Sequence, residues 1–115
     1  MDTLRISISQ LHPGHVPKKS SWERYQEFSD YVFVQEHRYT PFGIALLDGV
    51  SFVLDGNHRI AMLYGLGIEE ILYFERSLTI KNELFWRERI NDLHKKRIYS
   101  FSDFLSQCQS GRFYR

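Results

Sequence analysis

The sequence predicts an α+β domain: a small mixed sheet with a hairpin, helices packed on it, and a helical C-terminal extension. Three observations predict this fold class. Residues 4–8 alternate apolar and polar side chains, as in a half-buried strand. Two apolar runs flank the pair Asp48-Gly49, which is typical of a β-hairpin. Residues 82–96 carry apolar side chains at helical spacing.

The first half of the chain predicts a strand, a loop, a helix and the hairpin. Two prolines and a glycine in residues 11–19 predict the loop. Ser20 and Glu23 form a capping-box pattern that predicts a helix start. This helix is expected to end near residues 35–38, and its predicted buried residues are Trp22, Tyr25, Phe28 and Val32. The hairpin strands are expected at residues 42–47 and 50–54.

The second half predicts a helix, a strand and two more helices. Asn57 is expected to cap the first of these helices, with Gly65 and Gly67 available to end it. Residues 69–75 then predict a strand, and residues 100–108 a short final helix. The expected buried positions of the two longer helices are Ile60, Leu63, Tyr64, Leu84, Phe85, Ile90 and Leu93.

Composition limits the kind of protein. The length of 115 residues and an apolar fraction of 43% predict one domain over residues 1–115. Cys108 is the single cysteine, which excludes an internal disulfide. No apolar run is long enough to span a bilayer and no signal peptide is evident, so we expect a cytoplasmic protein without a membrane partner. Residues 1–80 carry a net charge of −3 and residues 81–115 carry +4.

Polar residues concentrate at one predicted strand-to-helix corner, in the stretch "VLDGNHRIAMLYGLG" of residues 53–67. The N-terminus of a helix carries unpaired N–H groups and a positive partial charge, which stabilise an anion such as phosphate. Gly56 permits close approach, while Arg59 and His58 are candidate donors to phosphate oxygens. Asp55 is a candidate for binding a substrate hydroxyl or Mg²⁺, or for orienting Arg59. An ordinary turn with a helix cap explains the same residues about equally well.

The corner and its surroundings resemble a known family. Residues 42–75 resemble the ParB/sulfiredoxin-like domain, in which a hairpin leads to an Asp-Gly-x-His-Arg or Gly-Glu-Arg-Arg box, a helix and a strand. Residues 6–28 are similar to the family's first strand, its basic proline-containing loop and the following helix. The resemblance covers about residues 3–76, and leaves residues 82–115 as a helical extension.

The resemblance implies a nucleotide-phosphate site that includes Gly56, Asn57, His58 and Arg59. Relatives bind ATP or CTP, and their reactions differ: chromosome-partitioning members hydrolyse CTP, sulfiredoxin phosphorylates a cysteine sulfinic acid, and a third branch phosphorylates free serine. Asn57 stands where sulfiredoxin has its catalytic cysteine, so sulfinic acid reduction is disfavoured. The chain after the last strand is too short for the usual helix-turn-helix of the partitioning proteins. The loop that carries the glutamate base of the serine kinases has no glutamate here.

Other side chains are candidates for supporting roles. Lys18 and Lys19 match loop positions where the family presents basic residues to phosphates, although a solvated loop is the alternative. Glu36 or His37 is a candidate general base, but such a cluster more often simply ends a helix. His12 and His15 with Asp55 form a weak metal-ligand pattern.

These observations lead to one principal hypothesis and two alternatives. The principal one is a domain that binds a nucleotide, ATP or CTP with Mg²⁺, or a phosphorylated small molecule, and that acts as a kinase or NTP hydrolase. Its catalytic candidates are Asp55, His58 and Glu36, with Asp55 as the metal ligand. The first alternative is a nucleic-acid-binding or nuclease-like module that uses basic residues 82–97. The second is a non-catalytic protein-interaction module.

Overall fold

The computed structural model describes residues 4–115, so the first residue of the expected core, residue 3, lies outside the described part. The elements in chain order are β1 (Leu4–Ser7), a 3₁₀ turn (Ile8–Gln10), α1 (Lys19–Gln26), α2 (Asp30–His37), β2 (Phe42–Leu47), β3 (Val50–Val53), α3 (Asn57–Gly65), β4 (Glu70–Glu75), α4 (Ile80–Lys95) and α5 (Phe101–Gln109). The α+β class predicted from the sequence is confirmed. Within residues 4–115, no helix combines the length and the apolar character needed to cross a bilayer.

The sheet is mixed and has four strands in the order β1-β4-β2-β3. Strands β1 and β4 pair antiparallel, as do β2 and β3, whereas β2 and β4 run parallel. The hairpin between β2 and β3 turns at Asp48 and Gly49, which both have positive φ, at 53° and 78°. That backbone matches the twist of paired strands, and it explains why the Asp-Gly pair predicted the hairpin.

Two helices replace the single helix that the sequence predicted between the loop and the hairpin. The Ser29 hydroxyl accepts a hydrogen bond from the Val32 N–H at 3.3 Å and caps α2. The first helix therefore ends at Gln26, and a second one begins at Asp30. The expected capping box is wrong as well, because Lys18 is the N-cap of α1 and makes no side-chain cap bond. Trp22 is buried as expected, but Phe28 and Val32 are exposed.

The segment between β1 and α1 extends the edge of the sheet. The His12 N–H donates to the Ser51 carbonyl at 2.8 Å, and the Val53 N–H donates to the His12 carbonyl at 3.0 Å. A Cβ added to Gly14 would collide with the Val53 carbonyl oxygen, so only glycine permits this approach. Residues 12–18, the corner loop, therefore lie directly against the end of β3, where α3 begins.

The C-terminal helices complete two hydrophobic clusters. Helix α5 buries Phe101 and Phe104 with α3 in the larger cluster, and α4 buries Ile90 beside Phe52 in the smaller one. The predicted burial of Leu84 and Phe85 is wrong, since these side chains are 59% and 52% exposed. Their helical spacing shows that α4 is amphipathic, but α4 reaches the sheet with a different part of its surface.

Candidate functional site

The corner between β3 and α3 leaves backbone N–H groups available. Gly56 has a φ of 85° and is the N-cap of α3, in place of the expected Asn57. The Gly56 N–H donates to Asp55 Oδ1 at 2.9 Å, and the first helical bond runs from the Ile60 N–H to the Gly56 carbonyl at 3.0 Å. The N–H groups of residues 57–59 therefore have no partner within the helix. They form a positive end that can bind an anion.

The side chains of Asn57 and His58 hold the corner loop. Asn57 Oδ1 accepts from the Gly14 N–H at 2.9 Å, and His58 Nε2 accepts from the Lys18 N–H at 2.9 Å. Both side chains are buried, and the partners lie 43 and 40 residues earlier in the sequence. The conspicuous Asn-His pair thus fixes the loop to the start of α3.

The environment of His58 keeps its imidazole neutral. His58 is 8% exposed, and its ring packs edge-on against Phe104, with centroids 5.0 Å apart. Burial, with a smaller contribution from the nearby charges of His15 and Lys18, lowers the pKa of His58 to about 4. Since Nε2 accepts from the Lys18 N–H, the proton of the neutral ring is on Nδ1. His58 therefore acts here as a positioning residue, whereas the sequence suggested donation to phosphate.

A cleft of about 320 Å³ opens in front of the corner. Its walls come from the corner loop, from α1 and from the start of α3, and Asp55 is its carboxylate. Its lining residues are His15, Lys18, Ser21, Arg24, Tyr25, Leu54, Asp55, Gly56, Asn57 and His58. Two permanent cations against one carboxylate make the cleft electropositive.

The two predicted lysines point to different places. Lys18 lines the cleft. Lys19 is on the exposed side of α1, where its Nζ is 3.9 Å from Glu23 Oε1. Sequence reasoning missed Arg24 and Ser21, which also line the cleft. The spacing of three and seven residues from Lys18 to Ser21 and Tyr25 places these three on one face once α1 is known to start at Lys19, so it could have identified Ser21. Arg24, six residues after Lys18, does not share that spacing.

Arg59 lies beside the cleft and, unlike His58, does not line it. Its Cζ is 5.1 Å from the ring centroid of Phe42, and its Nη2 is 2.8 Å from the position that a Cβ on Gly56 would take. Its Nε is buried without a hydrogen-bond partner among residues 4–115. The imidazole of His58 and the guanidinium of Arg59 thus contact different neighbours, and Arg59 is nearest the cleft at Gly56.

Glu36 and His37 lie at the end of α2, outside the lining of the cleft. Glu36 is exposed, and its Oε2 is 3.9 Å from His37 Nε2. The His37 ring packs on Phe33, with centroids 4.5 Å apart, and faces Tyr25 at 6.3 Å. Burial lowers the pKa of His37, and the charge of Arg59 adds to this. Glu36 does not line the cleft that contains Asp55.

His12 and His15 do not form a metal site with Asp55. The His12 Nδ1–H donates to the Pro13 carbonyl, so its Nε2 accepts from His94 Nε2–H at 2.8 Å. His15 Nδ1–H donates to the Val16 carbonyl at 3.0 Å. Within residues 4–115 no three His, Cys, Asp or Glu side chains are grouped to hold a metal ion.

The basic residues of the C-terminal extension are partly neutralised by acidic partners. Arg87 donates to Asp48 through Nε at 2.7 Å and Nη2 at 3.1 Å. Lys96 donates to both oxygens of Asp92 at 2.7 Å. A continuous phosphate-binding surface over residues 82–97, as the first alternative function needs, would have to break these pairs.

No protein-family model matches the sequence, and no curated protein matches it. Among solved structures, free serine kinase in complex with AMP superimposes with a TM-score of 0.53 at 22% identity, over 66% of this chain and 31% of the kinase chain. SbnI with a C-terminal truncation, from Staphylococcus aureus, superimposes with a TM-score of 0.51 at 16% identity, over 65% of this chain and 30% of SbnI. Both proteins have the ParB/sulfiredoxin-like fold. This chain has the ParB/sulfiredoxin-like fold.

A third solved structure is similar to this chain over more of its length. Protein Atu1540 from Agrobacterium tumefaciens superimposes with a TM-score of 0.50 at 20% identity, over 86% of this chain and 50% of that chain. This chain thus spans about a third of the length of free serine kinase and of SbnI, and half of the length of Atu1540.

Proposed function

We propose that this chain binds a nucleotide through its phosphates at the α3 end of the cleft and supports phosphoryl transfer or NTP hydrolysis. The observation that carries the proposal is the juxtaposition of free N–H groups at residues 57–59 with Lys18 and Arg24 in one cleft. Backbone dipoles and fixed cations are the groups that stabilise a transferring phosphoryl group. Solved structures of free serine kinase, which shares the fold, contain AMP or ADP.

The roles of the individual groups follow from their positions. The N–H groups of residues 57–59 donate to phosphate oxygens, and Lys18 and Arg24 neutralise charge from the facing wall. Arg59 supports the same phosphates from beside Gly56. Because His58 is neutral and accepts from the Lys18 N–H, it contributes by holding the loop that presents Lys18.

Asp55 is the acidic group of the proposed site. Its Oδ1 accepts from the Gly56 N–H at 2.9 Å, which leaves Oδ2 for a hydroxyl or a cation. Mg²⁺ is commonly bound by one or two carboxylates together with substrate phosphates, and Asp55 fits that donor set. When bound, Mg²⁺ would neutralise charge on the phosphates. We place Asp55 ahead of Glu36 as the residue that accepts the proton of an acceptor hydroxyl, since Asp55 lines the cleft and Glu36 does not.

Isothermal titration calorimetry with ATP, CTP and GTP, each with and without Mg²⁺, tests the proposal. We expect saturable heat with at least one nucleotide, and a large loss of affinity in Lys18→Gln. Lys19→Gln is the matched control, since Lys19 lies outside the cleft. Absence of heat with all three nucleotides would contradict the proposal and favour the protein-interaction alternative. Binding of single-stranded DNA or RNA that weakens steeply with salt would favour the nucleic-acid alternative.

A further inference from the structure

Among the residues that the structure describes, the Arg89 guanidinium on α4 has no acidic partner. Its Cζ is 5.3 Å from the ring centroids of both Phe85 and Trp86. In the part of the chain from residue 4 to 115, no carboxylate oxygen lies within 4.0 Å of it. Burial lowers the pKa of Arg89, which means that its surroundings disfavour the charge. An anion bound here would offset that cost.

Two basic residues near Arg89 in the sequence differ from it: Arg87, on α4, and Lys96, directly after α4. Arg87 makes two hydrogen bonds to Asp48, and Lys96 makes two to Asp92. Their charges are already compensated within the chain, whereas Arg89 is held only by aromatic rings. Two rings restrict the guanidinium plane and leave its N–H edge available for a bidentate contact to a carboxylate or phosphate.

Arg89 lies close to the cleft because α4 packs on the corner loop. Trp86 Cζ3 is 3.3 Å from the position that a Cβ on Gly14 would take, and Gly14 precedes His15, which lines the cleft. Burial lowers the pKa of His15, and the charges of Arg89 and Lys18 lower it further. Two cations from different elements therefore act on one imidazole at this side of the cleft.

We infer that Arg89 forms, with Lys18, a second anion-binding position at the α4 side of the cleft. It takes a carboxylate or phosphate group other than the phosphate bound by the N–H groups of α3. The inference rests on the proposed function. It identifies the substrate class as either a nucleotide whose further phosphates reach α4 or a nucleotide together with an anionic small-molecule acceptor. It also gives the helical extension a direct part in recognition.

The test is an NMR titration that observes the arginine Nε–H signals and the backbone N–H signals of residues 57–59. The probes are AMP, ATP, inorganic pyrophosphate, and AMP followed by succinate. Arg87 is the internal control, because its Nε already donates to Asp48 at 2.7 Å. We expect the Arg89 Nε–H signal to shift saturably while the Arg87 signal stays in place. A shift with ATP or pyrophosphate but not AMP assigns the position to nucleotide phosphates, and a shift only after succinate assigns it to an acceptor.

The outcomes separate this inference from the proposed function. If the signals of residues 57–59 shift and Arg89 moves no more than Arg87 with any probe, the second position is wrong and the nucleotide site stands. If Arg89 shifts and residues 57–59 do not, Arg89 binds an anion without a nucleotide site at α3, so the proposed function, and with it the substrate class inferred here, is wrong. If none shifts, both are wrong.

Calorimetry on variants gives an independent measurement. We expect Arg89→Gln to weaken binding of the probe that shifts Arg89 about tenfold, and Arg89→Lys to recover part of the loss, since lysine keeps the charge but not the fork. Arg87→Gln should leave the affinity within about twofold. Equal affinities of Arg89→Gln and Arg87→Gln, with both variants folded by thermal melting, would overturn the inference.

Discussion

The two halves of the corner at residues 55–59 have different functions, although the sequence presents them as one polar cluster. Asn57 and His58 point inward and accept hydrogen bonds from the Gly14 and Lys18 N–H groups. Asp55 points outward into the cleft, and Arg59 lies at its edge beside Gly56. The inward half builds the loop wall of the cleft, and the outward half is free to meet a ligand. Polar residues next to each other in sequence thus need not touch the same ligand, since successive helical positions face different directions.

The contrast predicts that changes to the inward half reduce stability, while changes to the outward half reduce binding.

The largest expected effect on stability comes from Gly14→Ala. The added Cβ would collide with the Val53 carbonyl oxygen, a backbone atom that cannot move aside without disturbing β3. We expect a loss of about 3 kcal/mol or more in the free energy of unfolding, at the upper end for overpacking, measured by urea denaturation. Gly65→Ala is the control, because a Cβ there meets only the Leu105 side chain at 3.4 Å. Equal stability of Gly14→Ala and wild type would show that the loop does not approach β3 as described.

Acid should destabilise the inward half through His58. Above pH 6.5 the ring is neutral in both states. Between pH 6.5 and about pH 4, His58 is protonated in the unfolded state but still neutral in the folded state. Stability therefore falls as the pH falls from 6.5 to about 4. The loss at the low end is about 3 kcal/mol, at about 1.4 kcal/mol for each pKa unit. Urea midpoints measured from pH 7.5 to pH 4 check this.

His58→Gln provides the control for the acid prediction. Its side-chain oxygen can still accept from the Lys18 N–H but does not titrate. The slope of stability with pH should therefore be smaller in this variant. It should not vanish, because burial also lowers the pKa of other imidazoles, those of His12, His15 and His37. An unchanged slope would mean that folding does not lower the pKa of His58.

A smaller decrease in the free energy of unfolding is expected from Asn57→Ala. The variant leaves the buried Gly14 N–H without an acceptor, which costs about 2 kcal/mol, within the range for an unsatisfied buried donor. Asn57→Asp keeps an acceptor oxygen at the same place and should lose less. Chemical denaturation of both variants measures the difference. If Asn57→Asp is as destabilised as Asn57→Ala, the hydrogen bond to Gly14 is not what makes Asn57 important.

Arg24→Gln, on the cleft wall opposite the corner, is expected to have the smallest effect on stability. Arg24 is an exposed cleft residue, so stability should stay within about 0.5 kcal/mol of wild type. The affinity for nucleotide should fall about tenfold, or 1.4 kcal/mol, through loss of a phosphate contact. Arg112→Gln, an exposed arginine outside the cleft, should change neither quantity. Equal losses of affinity in both variants would reduce the role of Arg24 to a contribution to net charge.

The sequence was sufficient for the elements whose signals are local. The hairpin at Asp48-Gly49, strand β4 and the end of α3 near Gly67 each depend on backbone preferences of the residues themselves. The break between α1 and α2 was missed because the apolar spacing continued through it, while the Ser29 cap decided the backbone. The burial of Leu84 and Phe85 was overestimated because spacing does not reveal which part of a helix meets a neighbour.

The site was predictable only in part for the same reason. The glycine and the helix start at residues 56–57 are local features, and the sequence located them within one residue. The hydrogen-bond partners of Asn57 and His58 lie about 40 residues earlier in the sequence, and the motif itself does not indicate which residues they are. Arg24 belongs to the cleft only because α1 packs against α3, a tertiary contact that no spacing rule encodes.

A crystal structure with bound ADP is the most direct test of the division between the two halves. We predict phosphate oxygens within about 3.2 Å of the N–H groups of residues 57–59, with His58 Nε2 still accepting from the Lys18 N–H. A phosphate bonded directly to His58 Nε2, with the corner loop released from it, would contradict the account.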